Sequence, residues 1–212
     1  MKTTREEILL QALRMFAERG FDAVSTEMIA RALGITKGAL YHYFAGKQAI
    51  FDAIIDRMFE LDAERARESN VPEKEYADDP DAYRQTAPDD LCGFVNGQLD
   101  FWCEDPFASL FRRMITIEQF KTPESARLYQ DVIGMGPVRY TEDLLREMAN
   151  RGRLNSTALS LGVRALAMQL FAPLQLAIQL RDGGEDIETL RASLRAITEN
   201  FITQYINQGE IQ

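Results

Sequence analysis

The chain has one histidine, His42, and it stands in a run of small residues and hydrogen-bond donors: Thr36-Lys37-Gly38-Ala39-Leu40-Tyr41-His42-Tyr43, with Lys47 shortly after. One imidazole cannot build a multi-histidine metal centre or a Ser-His-Asp triad without partners that this sequence lacks. Neighbouring carboxylates such as Glu142 and Asp143 could exchange protons, but neither a nucleophile nor a glycine-rich phosphate loop accompanies them. The expectation is a protein that is not an enzyme, with no catalytic residues, no cofactor and no metal. What the run can do is donate: two tyrosines and Lys37 can hydrogen-bond to phosphate oxygens. Lys47 lies in the first turn of its helix, where the macrodipole disfavours a cation by about 0.3–1 kcal/mol, and a nearby phosphate would reverse that sign.

Charge is distributed to match. The 212 residues carry 24 basic and 33 acidic side chains, net −9, which on its own argues against a nucleic-acid partner. Residues 1–50 nevertheless hold seven basic and five acidic groups, net +2, and no acid occurs between Glu27 and Asp52. An acid-free window is what a phosphate-facing surface requires.

The elements that must position these groups read as helices almost throughout, because apolar residues recur at threes and fours. Thr4 and Glu7 form a capping box opening a helix that ends near Gly20. Ser25 or Thr26 caps a second helix that stops at Gly34, Thr36 caps a third over about 37–44, and a fourth runs from Lys47 to about Glu68. Helix, glycine-containing turn, helix is the helix-turn-helix arrangement. At about 100° per residue, with Leu40 inward and Phe44 about 40° from it, the outer face of the third helix is Gly38, Ala39, Tyr41 and His42. Small residues at its centre let the backbone approach a groove floor. A solvated face gives only a weak reason for Gly38, where alanine would favour the helix by about 1 kcal/mol.

Residues 71–90 hold three prolines and seven acids and read as a solvated loop. Helices are then expected at 89–103, 106–119, 123–150 with a break at Gly134-Gly136-Pro137, 156–181 with a kink at Pro173, and from Asp186 onward. The longest uncharged apolar stretch, residues 165–180, has 16 residues including three Gln and a Pro, short of the roughly 20 a membrane span needs. No basic start leads into an apolar signal region, so a cytoplasmic protein with reduced thiols and no membrane partner is expected.

The stretch from Ile8 to Ile55 resembles the DNA-binding module of the TetR family of one-component transcription regulators, most specifically at Gly34-Ile35-Thr36-Lys37-Gly38-Ala39-Leu40-Tyr41, Phe44 and Lys47. The resemblance implies an all-α homodimer: residues 1–47 as a three-helix helix-turn-helix domain on double-stranded DNA, and residues 48–212 as a helical domain for ligand binding and dimerisation. By position it assigns Thr26, Thr36, Tyr41 and Lys47 to phosphates, Lys37, Gly38, Ala39 and His42 to recognition, and Tyr43 to the DNA backbone. Glu27 departs from the basic or polar residue some members use there and receives no base contact. The implied function is a repressor released from a palindromic operator by a small molecule.

Aromatic and methionine residues crowd the middle helices, and soft walls with a few amide handles are typical of small-molecule pockets. If the resemblance extends that far, Met58, Phe94, Phe101, Trp102, Phe111, Met114, Tyr129, Met168, Phe171 and Gln175 are candidate lining residues, with Gln98 a further polar handle, for an apolar or aromatic inducer. Helix 156–181 is apolar on more than one face, so Leu161, Ala165, Met168, Ala172 and Leu176 cannot all pack inward. They point to a dimer through the last two helices. The alternatives are a ligand-independent DNA-binding protein of the same architecture with a structural task, or a helical ligand carrier or enzyme.

Overall fold

Helix α1, Arg5–Arg19, starts where Thr4 leaves its backbone extended and closes both halves of the capping box. The Thr4 N–H donates to Glu7 Oε2 at 2.8 Å, and the Glu7 N–H donates to Thr4 Oγ1 at 3.2 Å. It ends at Gly20, whose φ of 79° lies where a side chain would strain the backbone. Ser25 caps α2, Thr26–Ala32, and Thr36 caps α3, Lys37–Tyr43. Helix α4, Lys47–Glu68, follows as read from the sequence. The computed structural model describes residues 3–207; it is 77% helical with no strand among them. The fold is all-α.

The remaining helices are α5 Pro80–Gln85, α6 Pro88–Glu104, α7 Pro106–Glu118, α8 Pro123–Val132, α9 Met135–Asn150, α10 Ser156–Leu161, α11 Val163–Asp182 and α12 Ile187–Tyr205. They form two compact units. The first comprises residues up to Leu61 together with Asp105–Gln130, and the second Asp62–Glu104 together with residues from Asp131 onward.

In the first unit α1 buries Ile8, Leu9, Ala12, Leu13, Met15, Phe16 and Ala17 against α2 and α7. Phe16, Phe21 and Phe51 form an aromatic trio with centroids 5.0–6.2 Å apart. Helix α7 starts sharply: Asp105 Oδ1 accepts the N–H groups of Phe107 and Ala108 at 2.8 Å each, with Pro106 in the first turn.

In the second unit α11 packs on α6, α9 and α12 around Leu91, Val95, Leu144, Leu145, Leu166, Leu170 and Phe201. Two expectations are corrected here. Residues 71–90 are not a solvated loop: α5 forms within them, capped by Asp79, and Tyr83 is 1% exposed. Three tyrosines hold the segment. The Tyr83 hydroxyl donates to the Lys74 carbonyl at 2.9 Å, that of Tyr140 to the Pro72 carbonyl at 2.8 Å, and that of Tyr76 to Glu147 Oε1 at 2.8 Å. The acids sit on the outside, so composition was a poor guide to order. The helix expected over 156–181 is two helices, because Gly162 adopts φ 82° between α10 and α11. The expected break near Gly134 is present. At Gly136, in the first turn of α9, a Cβ would fall 1.7 Å from the Asp131 carbonyl oxygen, so only glycine fits there.

The outward side of α10 and α11 is apolar. Leu159, Leu161, Met168, Leu176 and Leu180 are 43–56% exposed, and Ala172 is exposed with them; Ile197 of α12 is also exposed, at 41%.

Candidate nucleic-acid interface

Helix α3 is short because Thr36 fixes its start and Phe44 leaves helical geometry at its end. Thr36 Oγ1 accepts the Ala39 N–H at 3.1 Å, which leaves the hydroxyl proton available to an outside acceptor. Leu40 is 0% exposed and Phe44 4%, as the wheel arithmetic requires. Lys37, Gly38, Tyr41 and His42 are exposed, Ala39 and Tyr43 half-buried. At Gly38 an added Cβ would meet nothing nearer than Thr36 Oγ1, at 3.9 Å. Nothing among the described residues demands glycine there, where alanine would favour the helix by about 1 kcal/mol, and the spot is open to a close approach from outside.

Three site residues have inward duties that spacing could not show. Lys47 Nζ donates to the Phe21 carbonyl at 2.8 Å and lies 4.1 Å from the Phe21 ring centroid. The Tyr43 hydroxyl donates to the Thr3 carbonyl at 2.7 Å. Thr26 is 7% exposed, and its hydroxyl donates to Glu27 Oε2 at 3.3 Å. His42 stands edge-on to Tyr43, with centroids 5.8 Å apart.

Sequence reasoning missed two supports. Glu118, 5% exposed at the end of α7, accepts the Phe21 N–H on Oε1 at 2.8 Å and pairs with Lys121 at 2.9 Å, while Lys121 also reaches Asp22 at 3.0 Å. These partners lie about a hundred residues from the α1–α2 connector they hold, and no local pattern announces such a contact. Glu118 and Asp22 hold the Lys121 ammonium above its usual pKa. The third finding is on the surface: Lys37 Nζ hydrogen-bonds Glu27 Oε1, and that pairing lowers the Glu27 carboxyl to about 2.

The start of this unit matches a known family. Residues 8–54 fit the model of the bacterial regulatory proteins, tetR family. This stretch is similar to the N-terminal module of that family. The nucleoid occlusion factor SlmA of Haemophilus ducreyi is 42% identical over 52 residues, which is 24% of this chain and 25% of that protein. The HTH-type transcriptional regulator UidR of Escherichia coli is likewise 42% identical over 52 residues, 24% of this chain and 26% of that protein. The chain thus matches about a quarter of the length of these curated relatives. SmeT, the repressor of the Stenotrophomonas maltophilia multidrug efflux pump SmeDEF, resembles the chain over 98% of its length and 93% of SmeT, with TM-score 0.63 and 20% identity. Its triclosan complex gives TM-score 0.66 over 97% and 92% of the two chains, again at 20% identity. At that identity the likeness establishes the fold alone, and it covers α4–α12 as well as α1–α3.

The candidate pocket residues fall in both units. Met58, Phe111 and Met114 are buried in the first and Tyr129 is half-buried there. In the second, the Phe101 and Trp102 rings meet tilted with centroids 5.1 Å apart, Phe94 lies 6.0 Å from Tyr140, Phe171 packs on the core, and Gln175 Nε2 donates to the Ile133 carbonyl at 3.3 Å. Met168 is 55% exposed, because its turn of α11 faces outward rather than into the core. Gln98 is 7% exposed, and its Oε1 accepts no hydrogen bond among the described residues.

Proposed function

We propose that the protein is a DNA-binding transcriptional regulator, a homodimer whose two α3 helices enter successive major grooves of a palindromic operator, and that it is a repressor released by an apolar or aromatic ligand. The observation that carries this is α3 itself: an exposed face of Lys37, Gly38, Tyr41 and His42 with half-buried Ala39 beside them, and a glycine that no contact among the described residues requires. Thr36, Tyr41 and the remaining N–H groups of Lys47 are the phosphate donors of this reading, with Tyr43 beside them; Thr26 contributes from α2. Residues 1–47 act as the reading head and 48–212 as the ligand-binding and dimerisation part.

Two further features support the reading. The apolar outer face of α10 and α11 suits a second copy of the chain, since one α3 reads only a few base pairs and paired half-sites lie about 34–36 Å apart or a multiple of that. Helix α11 is also long and apolar enough to cross a membrane, with mean hydropathy 1.3 over its best window, of which 33% is buried. Pro173 and three Gln within it, and its packing on α6, α9 and α12, favour a helix partner over lipid, in keeping with a cytoplasmic regulator. Gln98 is a polar handle of this reading, because a bound hydroxyl or N–H would satisfy its buried Oε1. SmeT's complex with triclosan supports an aromatic inducer.

The test is selection of random duplexes on the purified protein, followed by a small-molecule screen for release. A palindromic consensus is expected, and enrichment of no sequence overturns the reading. His42→Ala should weaken binding to the selected duplex by about 1–3 kcal/mol at fixed salt. A ligand-independent DNA-binding role is the second reading, favoured by the module's identity to a nucleoid occlusion factor. Release from DNA by a small molecule would decide against it.

A further inference from the structure

Resting on the DNA-binding reading, we infer that Glu27 is a specificity-determining residue: its carboxylate holds the Lys37 ammonium off phosphate, and the two side chains together read one G·C base pair in each half-site. Glu27 is the last acid before a window of 24 residues that has none. It sits on α2 beside the start of α3, and both side chains are half-exposed, Lys37 51% and Glu27 56%. One carboxylate oxygen accepts from Lys37 and the other from Thr26 Oγ1 at 3.3 Å, while Lys37 Nζ also lies 5.6 Å from the Tyr41 ring centroid. The carboxylate is therefore held in place from two sides, and the ammonium with it.

A free lysine here would neutralise a phosphate and add sequence-independent affinity. Held by Glu27, it adds little, while the acid repels backbone that approaches out of register. Side by side, an ammonium donor and a carboxylate acceptor match what a G·C pair shows in the major groove, with O6 and N7 of guanine as acceptors and the cytosine N4 amino group as donor. The ordinary reading of an acid in the first turn of α2 is that it favours the helix start. That reading predicts no effect on DNA choice.

The experiment compares wild type, Glu27→Gln, Lys37→Ala and the double variant on two probes: the duplex selected by wild type and an unselected random-sequence duplex of equal length, across a salt series. Glu27→Gln should bind the random duplex several-fold tighter, and its plot of log affinity against log salt should steepen by about 0.9 per protomer as Lys37 reaches phosphate. Its selected consensus should lose preference at one base pair per half-site, a loss of roughly 5- to 150-fold in discrimination there. Lys37→Ala leaves an uncompensated acid and should bind both probes worse than the double variant. An unchanged consensus and salt slope in Glu27→Gln, with only thermal stability altered, would overturn the inference while leaving the regulator intact. A wild type that attaches to no duplex would overturn both.

Discussion

Lys47 shows how a correct physical argument at a single residue finds more than one partner. A cation in the first turn of α4 needs negative potential nearby, and within the chain the Phe21 carbonyl and ring supply it. Phe21 is thereby gripped from two sides, its carbonyl by Lys47 and its N–H by Glu118. Glu118→Ala removes the acceptor of the part-buried Phe21 N–H and one of the two partners of Lys121, so stability should fall by about 1–3 kcal/mol in urea unfolding. Glu118→Gln keeps an acceptor for Phe21 and should lose less. If both variants unfold at the wild-type midpoint, the connector is held by apolar packing of Phe16, Phe21 and Phe51 instead.

Helix boundaries followed local chemistry wherever a cap decides them. Thr4, Ser25, Thr36 and Asp186 each open a helix where the sequence placed it. At α12 the Asp186 carboxylate accepts the Thr189 N–H at 2.9 Å and its hydroxyl at 3.0 Å, and the backbone bond first, then the hydroxyl, draws the carboxyl below its ordinary value of 3.8. A depressed folded-state pKa stabilises above the unfolded value and loses that contribution as pH falls through the folded one. Asp186→Asn should retain the cap yet show a shallower stability loss between about pH 5 and 3, read by thermal melts. Asp186→Ala, which removes the cap, should lower the melting temperature at neutral pH. Identical acid profiles for wild type and Asp186→Asn would show that this carboxylate does not contribute. Where composition outweighed a cap, reading failed: Asp79 caps α5 in an acid-rich, proline-rich segment, and the Tyr83 ring of α5 meets Tyr76 and Tyr140 edge-on at 5.3 and 5.6 Å.

At the scale of the whole molecule, the exposed leucines and Met168 of α10 and α11 are too many for a monomer surface patterned at random. If they close a dimer, Met168→Glu and Leu176→Glu should each shift the sedimenting species towards half the mass while far-ultraviolet helicity is kept. The same variants should bind a palindromic duplex far more weakly, because one half-site then carries the whole affinity. A protein that sediments as a dimer with both glutamates in place would move the interface elsewhere.

The residues alone determined the all-α class, the helix-turn-helix, the inward pair Leu40 and Phe44 and the outward face of α3, since each depends on contacts within a few positions, where periodicity and capping act. They also marked α11 as apolar on more than one face. Tertiary structure decided what depends on distant partners: that α7 packs with α1, that Glu118 and Lys47 clasp Phe21, that Tyr83 orders an acidic segment, and that Lys37 is held by Glu27. Side chains many residues apart in sequence meet only after packing has chosen their neighbours, and no local spacing encodes that choice.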